Sequence, residues 1–219
     1  MDTPQLLEWL RGPGLQIAAA VLVLGMVYRM LHLMLLGRKK NLAAPRGSEW
    51  GPGLRTVWYR SVHSVGLTPR GHFIHIAGYV FHLGFLVTLL FLSQHIDLFR
   101  SVLGFGWPAL PPGTITIAAI LTIAAMIALF VHRITDPVKR LISDYQDHLA
   151  WALTFLPLLT GIMLKQGIGP GYQQMLIVHI ASLELLTVAI PFTKLAHMLT
   201  TFSARWYNGA ISGYKGVSV

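Results

Sequence analysis

Five long apolar stretches punctuate the chain, at 14–36 ("GLQIAAAVLVLGMVYRMLHLMLL"), 72–94, 113–133, 147–166 and 174–199. About 20 residues at 1.5 Å rise each cross the ~30 Å hydrocarbon core of a bilayer, so the pattern predicts five transmembrane helices in an all-α integral membrane protein. Pro/Gly-rich breakers such as "GFGWPALPPG" (104–113) and "GIGPG" (167–171) separate the spans, and no internal repeat is evident. The reading is a single membrane domain over 1–219, with a basic loop at 37–71 and a short tail at 200–219.

Composition agrees. Of 219 residues, 54% are hydrophobic and 11% charged, against about 25% charged in soluble domains. Cysteine is absent, which excludes disulfides, iron–sulfur ligation and thiolate zinc sites within the chain. A net charge of +9 would suit nucleic acid, but its placement says otherwise. Arg38, Lys39, Lys40, Arg46, Arg55, Arg60, Arg70, Arg133, Lys139, Arg140, Arg205 and Lys215 fall on one side of the five spans; Arg11, Arg100 and Lys165 fall on the other. The positive-inside rule then predicts an external N-terminus and a cytoplasmic C-terminus. The excess charge is topological, and nucleic-acid binding drops out. "MDTPQLLEWL" lacks the basic start of a cleavable signal peptide, so the first span is expected to stay as an anchor.

Polar groups inside hydrocarbon are costly and mark function. Span two opens "GHFIHIAGYVFHLGF", with His72, His75 and His82; span five holds His179 and His197. On straight helices the last two lie on one face about 27 Å apart, while His72 and His82 are about 15 Å apart. The spans run antiparallel, so His72 can meet His197 near the cytoplasmic face and His82 can meet His179 nearer the outer face. Two histidines facing each other can axially ligate one haem iron, and this arrangement offers two such sites. Pro191 is expected to bend span five and absorb part of the axial mismatch. The competing reading of any one such histidine is a hydrogen-bonded or interfacial side chain, and His32, His63, His95, His132 and His148 are read that way.

"GHFIHIAGYVFH" and "HIASLELLTVAIPFTKLAH" resemble the gamma-subunit family of respiratory nitrate reductases, membrane-anchored dihaem b-type cytochromes, together with related subunits of sulfur-cycle and heterodisulfide-reductase-like complexes. Family members carry two ligand histidines ten apart on span two, two eighteen apart on span five, and a Pro-Phe-Ser/Thr-Arg/Lys-Leu-x-His ending, here "PFTKLAH" (191–197). The resemblance implies that His72 and His197 ligate the cytoplasmic-side b-type haem and His82 and His179 the outer one. It implies a quinol or quinone substrate near the outer haem and iron–sulfur and catalytic partner subunits at the cytoplasmic face. The location implied is the inner membrane of a prokaryote. The chain departs from the family in a longer 37–71 loop and in lacking a lysine after span two, where His95, Asp97 and Arg100 are the polar candidates for a quinone pocket.

Arg29 and Lys194 are candidates to neutralise haem propionates, or else snorkel to the interface. Glu184, between the two histidines of span five, is a candidate quinone-site or proton-relay group, or else pairs with a neighbouring helix. Gly78 and Gly84 suit close approach of a macrocycle or of a helix. Two other function classes compete: a haem-free structural anchor for a soluble enzyme, and a small proton or metal transporter, which would usually show inverted repeats and broken helices.

Overall fold

The computed structural model describes residues 2–36, 42, 44–62 and 69–217, and every regular element among them is helical. These are α1 (Thr3–Trp9), a π turn (Leu10–Gly14), α2 (Leu15–Leu35), α3 (Trp50–Val62), α4 (Pro69–Phe91), α5 (Ser93–Leu103), α6 (Pro112–Thr135), α7 (Pro137–Ile142), α8 (Tyr145–Gln166), α9 (Tyr172–Ala189) and α10 (His197–Tyr214). Five segments are long and apolar enough to cross a membrane: Thr3–Leu35, Gly71–Phe91, Pro112–Thr135, Tyr145–Gln166 and Tyr172–Phe192. The protein is an all-helical, multi-pass membrane protein.

The first span begins earlier than the apolar run suggests. Asp2 accepts from the Gln5 amide at 2.9 Å and Gln5 reaches back to the Asp2 amide at 3.3 Å, a reciprocal cap that starts α1. The helix passes through Gly12 and Pro13. Pro13 has no N–H to donate, and the ladder slips by one residue, with the Leu15 amide reaching the Leu10 carbonyl.

Two segments read as loop and tail are helical, which corrects the sequence reading. In the basic loop, α3 runs through Gly51-Pro52-Gly53, and in the tail α10 continues to Tyr214. The pair is held by a seam of small residues. A Cβ on Gly53 would lie 2.6 Å from Nε1 of Trp206, and one on Gly213 would lie 2.5 Å from the Ser48 carbonyl. Glycine lets the two helices approach where any side chain would hold them apart. Pro52 sits in the first turn, where a missing N–H costs nothing. Arg205 donates to Ser61 at 2.7 Å across the pair.

The chain divides into two compact units, Met1–Ile17 with Pro69–Leu186, and Ala18–Thr68 with Thr187–Val219. In the first, α6 packs against both α4 and α8. Gly84 of α4 faces Thr122, whose side chain is fully enclosed and donates to the Ala118 carbonyl at 2.6 Å. Gly84 therefore serves helix packing, while a Cβ on Gly78 would meet nothing within 4 Å. Trp151 donates to the Met126 carbonyl at 3.0 Å, and Lys165 donates to the Pro112 carbonyl at 3.1 Å and to Thr116. Asp144 caps α8 by accepting from the Gln146 and Asp147 amides.

Span five departs most from a straight rod. Pro191 removes an amide donor, α9 stops at Ala189, and two short 3₁₀ turns, Ile190–Phe192 and Lys194–Ala196, lead into α10. Thr193 is extended (φ −121°, ψ −177°) and bridges the break. Its hydroxyl donates to the Ala189 carbonyl at 2.9 Å and accepts from the Leu195 amide at 3.3 Å. His179 and His197 thus lie on different helices, and the one-face, five-turn relation expected from their spacing does not hold.

Candidate functional site

The candidate histidines are placed by local backbone chemistry. His82 lies in the middle of α4, and its Nδ1–H donates to the Gly78 carbonyl one turn earlier, at 2.7 Å. His197 opens α10 just past the Pro191 break, its Nδ1–H donating to the Lys194 carbonyl at 2.8 Å. His179, half-buried in α9, sets Nδ1 3.1 Å from the Thr160 hydroxyl. That hydroxyl spends its own proton on the Leu156 carbonyl at 2.8 Å, so it accepts from the imidazole. A Cβ on Gly161 would lie 3.1 Å from the His179 ring, and the absence of one leaves the ring its place against α8. In all three the contact at Nδ1 fixes how the ring is turned, the kind of support that protein imidazoles receive from a second group. His72 is exposed near the start of α4, and His75 packs edge-on to Tyr79 at 4.8 Å.

His95 is the residue whose surroundings the sequence did not disclose. Leu92 is extended (φ −74°, ψ 130°), α4 ends at Phe91, and α5 folds back so that the His95 ring covers the last turn of α4. Its Nδ1–H lies 3.2 Å from the Thr88 carbonyl and 3.1 Å from that of Leu89. The next two carbonyls are taken by Nε1 of Trp107 on Leu90 (2.7 Å) and the Leu110 amide on Phe91 (3.1 Å). The helix end is fully accounted for. The same fold-back sets the His95 ring parallel to that of His179, 6° between planes and 6.2 Å between centroids. Burial pushes the His95 imidazole below its ordinary value, against a smaller upward pull from the two carbonyls.

The remaining candidates separate. Arg100 forms an exposed ion pair with Asp97 at 3.2 Å on α5. Glu184 of α9 keeps Oε1 buried without a hydrogen-bond partner, beside Gly14 and Trp9 of the same unit. A pairing of that oxygen with a neighbouring helix is therefore not what the structure holds. Arg29 donates to the Pro191 carbonyl at 2.6 Å and sits 3.4 Å from that of Thr193. It caps the helix break, a role no sequence pattern signalled. Lys194 is exposed in the second 3₁₀ turn. His132, expected to be solvated at the interface, instead buries an unpartnered Nε2 with its ring edge-on to Phe73 at 5.3 Å. Among the described residues no three His, Cys, Asp or Glu side chains converge on one point, so the histidines do not form a clustered metal site.

A protein of Nitratidesulfovibrio vulgaris (strain Hildenborough) is 31% identical over 133 residues, 61% of this chain. The match spans 58% of that protein's length. No family model matches the chain, and no solved structure matches it.

Proposed function

We propose that the chain is the membrane cytochrome b subunit of a respiratory oxidoreductase. It holds two b-type haems and passes electrons between a membrane quinol or quinone and an iron–sulfur subunit on the cytoplasmic side. A further catalytic subunit acts on the terminal substrate. The N-terminus faces outward, on the asymmetry of Arg and Lys between loops.

The observation that carries this reading is the state of the imidazoles. His82, His179 and His197 each engage Nδ1 with a protein oxygen, which orients the ring. An anchor has no use for three imidazoles prepared in this way inside and at the end of membrane spans. The donor set fits b-type haem, because imidazole ligates haem iron and the chain offers no thiolate in competition. Haem, when bound, supplies reversible one-electron transfer at a potential set by its ligands and their hydrogen-bond partners.

The chain's own part is to hold, orient and exclude. Gly78, Thr160 and Lys194 orient three rings through the bonds described above. The apolar spans would keep water from a bound haem. Quinol oxidation releases protons, and Glu184, with one buried oxygen unclaimed by any protein donor, is the group suited to take one up. Adding a reduced quinol analogue to membranes containing the chain should reduce its b-haem absorption, and Glu184→Gln should slow that reduction at least tenfold. Haem that ordinary quinols leave oxidised would overturn the quinol assignment.

A further inference from the structure

α3 is too short to cross a membrane, yet one side of it is as apolar as a span. Its 13 residues reach about 20 Å, and it carries Arg55 and Arg60. Trp50, Leu54, Trp58 and Val62 recur every fourth residue and fall within an arc of about 120° around the helix. They are 69%, 61%, 65% and 50% exposed. Gly53 and Thr56, the buried residues of α3, lie about 150° from the centre of that arc. The small-residue face is spent on α10, where a Cβ on Gly209 would collide with the Thr56 hydroxyl. The aromatic face points away from that contact.

We propose that this aromatic face lies in the interfacial layer of the bilayer, among anionic lipid headgroups. The proposal rests on the membrane-spanning fold and is independent of haem.

Position is the first support. Spans one and five are separated by three others, so they cross in the same direction and end on the same side. α3 follows the end of span one, and α10 follows the end of span five. The five residue steps from Phe192 to His197 cover at most ~17 Å, so α10 starts close to the membrane surface. The glycine seam holds α3 against it.

Charge is the second. The compact unit that holds the pair covers 18–68 and 187–219. Its first segment has seven Lys and Arg and its second has three, against one acidic side chain, Glu49. Arg46, Arg55, Arg60 and Lys215 are exposed around the pair, and the Arg55 guanidinium sits 5.7 Å from the centre of the Tyr59 ring. Tryptophan concentrates at headgroup depth, and Lys and Arg are drawn to an anionic leaflet. A short helix with Trp and Leu on one face and Arg beside them is built to lie in that layer. An acidic protein would match the arginines, but four apolar side chains held this close to a bilayer meet lipid before any partner is recruited.

The chain has no cysteine, so single nitroxides on Leu54→Cys and Trp58→Cys report on this face in the full-length protein. Leu24→Cys, exposed within span one, is the lipid standard. In nanodiscs of phosphatidylcholine and phosphatidylglycerol, power-saturation EPR compares collisions with oxygen, which concentrates in lipid, and with a nickel chelate, which stays in water. Labels at 54 and 58 should favour oxygen, as the label at 24 does, from a shallower depth. Omitting phosphatidylglycerol should shift both towards the chelate, and Arg55→Gln with Arg60→Gln should abolish that dependence on lipid charge. Quenching of tryptophan fluorescence by lipids brominated near the headgroup should fall in Trp58→Phe, which gives the same reading without a label. A preference for the chelate at 54 and 58 would put the face in water, open to a soluble protein, and would overturn the proposal. Shielding from both reagents would show a face covered by protein and would overturn it equally. Labels indifferent to phosphatidylglycerol in the chain with both arginines would overturn the anionic headgroup assignment.

Discussion

Arg29 offers the sharpest test of how span five is held together. Its guanidinium is the donor that meets the carbonyl of Pro191, at 2.6 Å, where the helix has broken. The Thr193 carbonyl at 3.4 Å is at the edge of hydrogen-bonding range and adds little. Replacing Arg29 with methionine keeps length and apolar bulk but removes every donor. A charge-assisted bond contributes about 1.5–3 kcal/mol, and a carbonyl left without a partner in a half-buried place costs a similar amount. These are two views of one loss and do not add. The expected cost is about 2–3 kcal/mol, roughly a 30- to 150-fold shift in the unfolding equilibrium. Arg29→Lys retains one donor on a flexible stem and should recover about half. The assay is reversible unfolding by SDS in mixed micelles, followed by tryptophan fluorescence, on protein prepared with and without haem. A capping role requires the loss in both preparations. Wild-type stability for Arg29→Met in the haem-free protein would refute it, and a loss confined to the loaded protein would return Arg29 to the propionates.

Three further outcomes follow from the packing. Gly84→Val should cost about 1–3 kcal/mol in the same assay, because the new side chain meets enclosed Thr122, whereas Gly78→Ala, with open space around it, should change little. Thr193→Val removes the hydroxyl that joins Ala189 and Leu195, and should destabilise by about 1 kcal/mol and speed amide exchange over 189–197. Because the chain has no cysteine, single cysteines at Asp2 and Ser212 report orientation cleanly. An impermeant maleimide should label the first in intact spheroplasts and the second only after permeabilisation; the reverse pattern would invert the topology.

The spans were legible because length and apolarity suffice to define them, and they agree with the structure to within a few residues except at the two ends of the chain. At the N-terminus the apolar run starts at 14, but the span begins at Thr3, because a π turn absorbs Pro13 at the cost of one shifted bond. At the C-terminus, Pro191 was visible as a bend. That it becomes a full break depends on Thr193 and on Arg29, the latter 162 residues away in sequence. α3 and α10 fall in segments read as a basic loop and a short tail, and only their mutual packing reveals the glycine seam.

The histidines were legible as candidates because each is expensive in an apolar run. Which of them meet was not legible. His82 lies within the second span and His95 just after it, and only the extended Leu92 and the fold-back of α5 set the His95 ring parallel to that of His179. Glu184 was noticed for its cost, yet its unpaired oxygen beside Gly14 belongs to long-range packing that no spacing rule reaches.

The most direct test of the central claim is the haem content of the purified chain, from a dithionite-reduced-minus-oxidised spectrum calibrated by pyridine haemochrome after expression in haem-replete cells. The account expects about two b-type haems per chain, both low-spin and both reducible by quinol. A folded, colourless protein would contradict it and leave the chain a membrane anchor.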